Sequence, residues 1–203
     1  MQNRGFIEYM IFDYQNKTIL IKVVYYGPAM SGKTTTLKFL FSYFNKEKEL
    51  ESIENTMGRT LFFDFGVLQF SGSEWNLKFL LYSATGQDFY AVTRPSTLTG
   101  VDGIIFVADS QNDYLEYNLR SWNELKTLFG LELYEVPIII AFNKYDLNQM
   151  ENLDEKNFIE KIDIKKFKYI NIEKTVALTG KGVINSFKNL IAFIFPQITM
   201  ITN

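Results

Sequence analysis

The feature that most constrains this chain is a glycine-rich stretch, Gly27 to Thr34, which fits the pattern G-x-x-x-x-G-K-[ST]. An apolar run precedes it and leucine and phenylalanine at helical spacing follow it, so the glycines lie at a strand-to-helix turn. At such a turn, backbone N–H groups and the helix N-terminus face an anion, and Lys33 adds a full positive charge. The stretch therefore predicts a phosphate-binding loop (P-loop), with the Thr34 hydroxyl left to bind a magnesium ion. An ordinary glycine turn is the weaker alternative. The residues predicted to surround the phosphates are Gly27, Ala29, Met30, Ser31, Gly32, Lys33, Thr34 and Thr35.

Composition limits the classes of protein to which the chain can belong. Its 203 residues, 47% of them hydrophobic, suit one α/β domain spanning 1–203. The net charge of −2 and the pI near 5.3 argue against a nucleic acid or an anionic membrane as an electrostatic partner. Because cysteine and histidine are absent, thiolate chemistry, an imidazole base and a histidine-bound metal are excluded.

Signals for export or membrane attachment are not evident in the sequence. The N-terminus lacks the pattern of a signal peptide, and no apolar run reaches the ~20 residues that a membrane helix needs. The chain has neither an N-terminal Met-Gly nor a C-terminal cysteine to carry a lipid. We therefore expect a cytoplasmic protein without a direct membrane anchor.

Strand-like and helix-like segments alternate along the chain. The predicted strands are 6–12, 18–26, 60–70, 76–84, 103–109, 138–142 and 172–178, and the predicted helices are 35–44, 113–129, 155–168 and 182–195. The first strand forms a hairpin with the second and is predicted to be an added edge strand. Asn45 to Gly58 is charged with little periodicity, which predicts a long exposed loop. The alternation predicts an α/β fold with a doubly wound, mostly parallel sheet and ligand loops at the carboxyl ends of the strands.

A second motif, Asn143-Lys144-Tyr145-Asp146, directly follows a buried strand and fits the pattern N-K-x-D. The Asp146 carboxylate can accept two hydrogen bonds, from the ring N–H and the exocyclic amine of guanine, whereas adenine offers no such pair. An unpaired buried carboxylate is costly, so one aspartate can enforce base selection. Asn143 is expected to bond N7 of the base and the adjoining loops, and the stem of Lys144 to lie along the ring. A polar turn is the alternative for Asn and Asp taken singly.

Together these motifs resemble the Ras-like small GTPase superfamily over about residues 22–195. Three stretches resemble its MglA branch, the prokaryotic polarity and gliding-motility GTPases, namely 24–28, 59–65 and 100–110. The resemblance implies a Ras-like P-loop NTPase fold with six strands, GDP and GTP as ligands, magnesium, and two switch loops. It also implies that Ala177 and Leu178 belong to the base-binding Ser-Ala-x motif, with Val176 replacing the serine and the Ala177 N–H reading the guanine oxygen.

The resemblance assigns roles in the switch loops as well. Switch I would include Thr60, whose hydroxyl joins that of the P-loop threonine in the magnesium shell. Thr56 is a competing candidate, but the family match is anchored on Thr60. Switch II spans 83–87, where Gly86 can turn its N–H toward the γ-phosphate and Gln87 can orient the attacking water.

Two departures from the Ras-like pattern bear on mechanism. Ser83 stands where these proteins usually carry an aspartate that holds a magnesium-bound water, a change shared by the MglA branch. Asp64 on the neighbouring strand either compensates for it or is a structural strand acid. Ala29 replaces a usual glycine, and its methyl group can crowd Gln87. We therefore expect slow intrinsic hydrolysis.

Arg59 directly precedes the switch I threonine. The resemblance to MglA suggests an arginine finger supplied by the protein itself, which would neutralise charge that develops in the transition state. A solvated loop arginine is the alternative. The resemblance further implies a roadblock-type regulatory protein that positions Arg59 and Gln87, and an effector of unknown identity. A guanine-nucleotide scaffold that hydrolyses little is a second interpretation. A P-loop ATPase or kinase is a third, which Asn143 and Asp146 disfavour.

Overall fold

The computed structural model describes residues 10–54, 60–84, 94–147 and 155–196. Across these ranges eight strands form one sheet, covered by five α-helices. The strands are β1 (Ile11–Asp13), β2 (Thr18–Tyr26), β3 (Leu50–Glu54), β4 (Thr60–Phe70), β5 (Asn76–Ala84), β6 (Gly103–Asp109), β7 (Ile138–Asn143) and β8 (Ile170–Lys174). The helices are α1 (Lys33–Tyr43), α2 (Arg94–Leu98), α3 (Leu115–Phe129), α4 (Glu155–Lys161) and α5 (Val183–Ile194), with short 3-10 turns at Glu47–Glu49, Asn112–Tyr114, Gly130–Tyr134 and Ile164–Lys166.

The strand order confirms the predicted doubly wound sheet. Along the sheet the order is β3-β4-β5-β2-β6-β7-β8, and the five strands from β5 to β8 run parallel. The extra N-terminal strand, β1, pairs antiparallel with the first three residues of β2, with Ile11 opposite Leu20. Since β6 joins β2 only from Val23 onward, β1 lies beside the start of a central strand. Residues 6–9 of the strand predicted there lie outside the described ranges.

Helices cover both faces of the sheet, as expected for parallel strands whose residues are nearly all apolar. On one face, Val24 and Phe106 pack with Trp122 of α3 and Phe158 of α4. On the other, alternate residues of the same strands pack against α1 and α5. β6 and β7 are buried along their whole length. Among the described residues no helix is long and apolar enough to cross a membrane.

The stretch predicted as a long exposed loop, Asn45 to Gly58, contains a strand, so that prediction is wrong for Leu50–Glu54. This strand, β3, pairs antiparallel with β4, with Leu50 opposite Gly66. Main-chain hydrogen bonds suffice to hold an edge strand, and charged side chains are common on such edges because they discourage further pairing. The absence of apolar alternation therefore concealed β3.

Two element ends also differ from the sequence prediction. The last strand stops at Lys174, before the predicted end at Leu178, because the chain turns at Val176, whose carbonyl accepts bonds from the N–H groups of Thr179 and Gly180. Helix α4 stops at Lys161, because Asp163 adopts a left-handed conformation, with φ +57°. The first turn lies in apolar sequence, Val176 to Leu178, that continues the strand pattern, and the second lies in lysine-rich sequence that continues the helix pattern.

Candidate functional site

The P-loop connects the end of β2 to the start of α1. Gly27 has φ +141°, and a Cβ atom on it would lie 2.2 Å from the carbonyl oxygen of Val107. Gly32 has φ +103° and caps α1. Only glycine tolerates a positive φ together with so close an approach of other atoms. This explains why the motif has glycine at these two positions.

Lys33 lies inside this loop and is 6% exposed. Its Nζ donates to the carbonyl oxygens of Gly27, at 2.9 Å, and Pro28, at 2.6 Å. Burial, and secondarily the positive charge of Arg94, lower the pKa of Lys33 to about 7, which Asp64 opposes. The loop therefore encloses an amine whose charged form would be stabilised by an anion.

Asn143, at the end of β7, joins the three parts of the site. It is 2% exposed, and its Nδ2 donates to the Ser31 carbonyl oxygen at 2.8 Å. Its Oδ1 accepts from the Ala177 N–H at 2.9 Å and from the Thr175 hydroxyl at 3.2 Å. One amide thus connects the P-loop, the N-K-x-D turn and the loop after β8. The second Nδ2 hydrogen has no acceptor among the described residues and is available to a ligand.

The contact of Ala177 differs from the expectation that its N–H reads a guanine oxygen. In the structure that N–H donates to Asn143, so base recognition would require the bond to be shared or exchanged. Asp146 is exposed on the N-K-x-D turn, and Leu178 is 83% exposed beyond Ala177. These two side chains are accessible to a ligand beside the buried amide of Asn143.

A buried acid lies beside Thr34, the residue predicted to bind magnesium. The Thr34 hydroxyl donates to Asp64 Oδ2 at 2.6 Å, and Asp64 is 0% exposed. Ser83 pairs directly with Asp64 across β4 and β5, and its buried Oγ has no hydrogen-bond partner among the described residues. Hydroxyl and carboxylate oxygens are ligands that fit Mg²⁺, which commonly binds proteins through one or two carboxylates together with substrate phosphates. No group of three or more acidic side chains that could hold a metal occurs in 10–54, 60–84, 94–147 or 155–196.

For the remaining predicted residues that it describes, the structure shows only burial or position. Ala29 and Thr35 are half-buried in and after the P-loop, and Met30 is 60% exposed with φ +63°. Thr60 is the first residue of β4. The predicted catalytic residues Arg59 and Gln87, together with Gly86, lie outside the described residues.

The sequence analysis gave no role to two residues that support the site. Asp109, at the end of β6, contacts the Lys144 ammonium, and Thr175 contacts Asn143. The sequence does mark Asp109, because this acid is the last residue of an otherwise apolar strand. The ligand loops of such sheets lie at the carboxyl ends of the strands. Thr175 carries no comparable signal, because its contact joins residues 32 positions apart.

Comparison with known proteins agrees with this geometry. The sequence model of the ADP-ribosylation factor (Arf) family matches residues 8–194. The chain is 34% identical over 194 residues to the mutual gliding-motility protein MglA of Myxococcus xanthus, covering 92% of this chain and 96% of that protein. It is 28% identical over 174 residues to ADP-ribosylation factor-like protein 6 of Caenorhabditis elegans, covering 85% of each. It is also 28% identical over 102 residues to the GTP-binding nuclear protein GSP1 of Encephalitozoon cuniculi, covering 50% of this chain and 46% of that one.

The match to MglA extends over nearly all of both chains, and the family match includes the P-loop, the N-K-x-D turn and the loop after β8. The structure brings these three segments together around Asn143. The chain therefore belongs to the Arf/Ras-like family of small GTPases, on its MglA branch.

Proposed function

We propose that this GTPase is a molecular switch that binds GDP and GTP with magnesium, hydrolyses GTP slowly on its own, and signals through its two switch loops. The observation that carries the proposal is the position of Asn143. Its single buried amide connects the phosphate-binding loop to both base-binding segments. A nucleotide that contacts all three segments would be held by groups that already fix one another.

Base selection is the role of the exposed carboxylate of Asp146. It lies three residues beyond Asn143 on the same turn, accessible to the ring N–H and amine of a guanine. Ala177 and Leu178 would contact the base from the loop after β8. Adenine would leave the Asp146 carboxylate without donors, which is a strong penalty in a desolvated site.

Magnesium would be held by the hydroxyls of Thr34 and Thr60. Asp64 would supply the carboxylate that Ras-like proteins carry at the position of Ser83. The bond of 2.6 Å between Thr34 and Asp64 supports this assignment. When bound, the ion would supply charge neutralisation at the phosphates. In the chain itself, Asp64 orients the Thr34 hydroxyl, and Lys33 places a positive charge inside the P-loop.

For hydrolysis, we assign to Gln87 the orientation of the attacking water and to Arg59 the role of an intrinsic arginine finger. Both assignments rest on sequence position in the MglA branch. The half-buried methyl group of Ala29, and the serine at position 83 in place of the usual aspartate, support a low intrinsic rate of GTP hydrolysis. A roadblock-type regulatory protein would align Arg59 and Gln87, and a separate effector would recognise the GTP-bound form. We place the protein in the cytoplasm, as one G domain over residues 1–203.

The test is single-turnover hydrolysis of GTP by the purified protein with magnesium, compared with Arg59→Ala and Gln87→Ala. We expect slow turnover by the native protein and a loss in both variants, while GDP binding is retained. Three equal rates would reject an intrinsic catalytic set. A non-hydrolysing scaffold would then be the better description if no activating partner raised the rate. Preference for ATP over GTP in competition would reject the switch altogether.

A further inference from the structure

Lys144 of the N-K-x-D turn has an ion-pair partner outside the motif. Its Nζ lies 2.5 Å from Asp109 Oδ2 and 5.4 Å from the centre of the Tyr114 ring. The Asp109 side chain is 0% exposed, whereas that of Lys144 remains 26% exposed. The ammonium group is therefore directed to a buried acid at the end of β6, and part of the side chain stays accessible.

Asp109 is itself held firmly. Its N–H donates to Asn118 Oδ1 at 3.0 Å and its carbonyl accepts from Asn118 Nδ2 at 2.8 Å. Asn118 is a fully buried residue of α3. The second carboxylate oxygen, Oδ1, accepts from the N–H of Gln111 at 3.2 Å and from its Nε2 at 3.0 Å. These contacts fix the carboxylate and leave Oδ2 directed at the lysine.

The backbone of Lys144 also needs a restraint. It has φ +61°, a left-handed conformation that residues with long side chains seldom adopt. In the β6–β7 pair, Asp109 lies opposite Asn143, the residue that connects the three parts of the site. The ion pair thus ties the turn to the neighbouring strand immediately beside that connection.

We propose that Asp109 is a positioning residue for guanine binding, which holds Lys144 so that its methylene stem forms one wall of the base site. The proposal rests on the proposed guanine-nucleotide function and adds a determinant outside the recognition motifs. An unpaired ammonium would turn toward water and take its stem with it. Paired with a rigid buried carboxylate, the stem is already in place when the base arrives.

Loss of this ion pair should weaken the binding of the base and leave the phosphate contacts intact. The pair lies at the N-K-x-D turn, whereas the P-loop carries the phosphate contacts. Loss of the pair should therefore speed the release of GDP and GTP by the same factor.

The test is a double-mutant cycle with Asp109→Asn, Lys144→Ala and the double variant, using the dissociation rates of fluorescent GDP and GTP analogues. Asparagine keeps the volume and an acceptor for Gln111 while removing the charge. We expect Asp109→Asn to speed release about tenfold, in line with a charge-assisted bond. In the Lys144→Ala background the same substitution should have no further effect, which a purely structural role would not predict. Glu135→Gln, which removes the exposed pair with Lys168, is the matched control and should leave release unchanged.

An unchanged release rate in Asp109→Asn, or the same acceleration with and without Lys144, would overturn the proposal. If Asp109→Asn does not fold, Gln111→Ala removes the side-chain donor to Oδ1 and leaves the backbone N–H donor, and its effect must likewise vanish in the Lys144→Ala background. Failure of the native protein to retain either guanine nucleotide would instead reject the proposed function, so the two failures are distinguishable.

Discussion

The hydroxyl of Thr34 donates a hydrogen bond of 2.6 Å to the fully buried carboxylate of Asp64, which joins the first turn of α1 to β4. Asp64 pairs across the sheet with Ser83, the position at which Ras-like proteins usually carry their magnesium-side aspartate. Asp64 therefore places a carboxylate on the strand next to Ser83, in contact with the P-loop threonine.

Substitution of Asp64 by Asn should remove most of the magnesium dependence of nucleotide retention. The amide can still accept from Thr34 but no longer supplies a negative charge to a bound cation. Magnesium should slow GDP release from the native protein by about tenfold or more and slow it far less in Asp64→Asn. The measurement is release of a fluorescent GDP analogue with magnesium and with excess chelator. Ser83→Ala is the control and should behave like the native protein. Equal slowing by magnesium in Asp64→Asn would contradict the assignment.

Nucleotide binding should take up a proton at alkaline pH through Lys33. Burial lowers the pKa of this ammonium group from 10.5 to about 7 in the nucleotide-free protein, and a polyphosphate would raise it again. Between pH 7 and the raised pKa of the complex, the free protein holds fewer protons than the complex. Proton uptake by Lys33 should therefore be near one at pH 8.5 and should vanish at pH 6. Calorimetry in buffers with different ionisation enthalpies measures it. Lys33→Arg, which stays charged throughout, should show no such uptake if it still binds, and equal uptake by the native protein at both pH values would refute the shift.

Much of the fold could be predicted because its strongest signals are local. The apolar runs of β6 and β7 and the glycines at 27 and 32 each identify an element or a turn without reference to distant residues. β3 could not be predicted in this way, since it is held by main-chain pairing with β4 and its side chains show no alternation.

The site was predicted to the extent that it consists of motifs. The pattern around Asn143 identifies the residue. Its three simultaneous contacts depend on the position of β7 between β6 and β8, which brings the end of β7 beside the P-loop and the loop after β8. The engagement of the Ala177 N–H by Asn143, and the pairing of Asp109 with Lys144, likewise depend on strand register. Contacts between residues more than 30 positions apart leave no spacing pattern in a single sequence.

A methyl group at Gly32 should disrupt the junction between the P-loop and the N-K-x-D turn. A Cβ atom there would lie 2.1 Å from Nδ2 of Asn143, which cannot move away without losing its bond to Ser31. Gly130 is the control for a positive φ, because its φ is +58°, with ψ −132°, and a Cβ atom there would meet nothing within 4 Å. We expect Gly130→Ala to cost about 1–3 kcal/mol of unfolding free energy through backbone strain, and Gly32→Ala to cost clearly more and to abolish nucleotide binding. Denaturant unfolding and nucleotide titration measure both, and equal costs would show that backbone strain alone decides.

The contribution of Asp102 to the stability of the protein should fall as the pH rises from about 4 to 6. Burial raises the pKa of this carboxyl group from 3.8 to about 6, although it accepts a hydrogen bond of 2.7 Å from the Lys22 N–H. In this range the folded state holds more protons than the unfolded state. The contribution of Asp102 to the free energy of unfolding is therefore complete below pH 3.8 and is lost as the pH passes 6.

The loss should amount to roughly 1–3 kcal/mol and should be absent in Asp102→Asn, which keeps an acceptor for Lys22 and cannot ionise. Other carboxyl groups titrate in the same window, so the quantity to measure is the difference in unfolding free energy between the native protein and the variant at each pH. In Asp163→Asn the difference should have the opposite sign and should appear as the pH falls through 3.8, because hydrogen bonds from Lys126 and Lys166 lower the pKa of Asp163. A difference between native and Asp102→Asn protein that stays constant from pH 4 to 7 would show that Asp102 ionises alike in the folded and unfolded states.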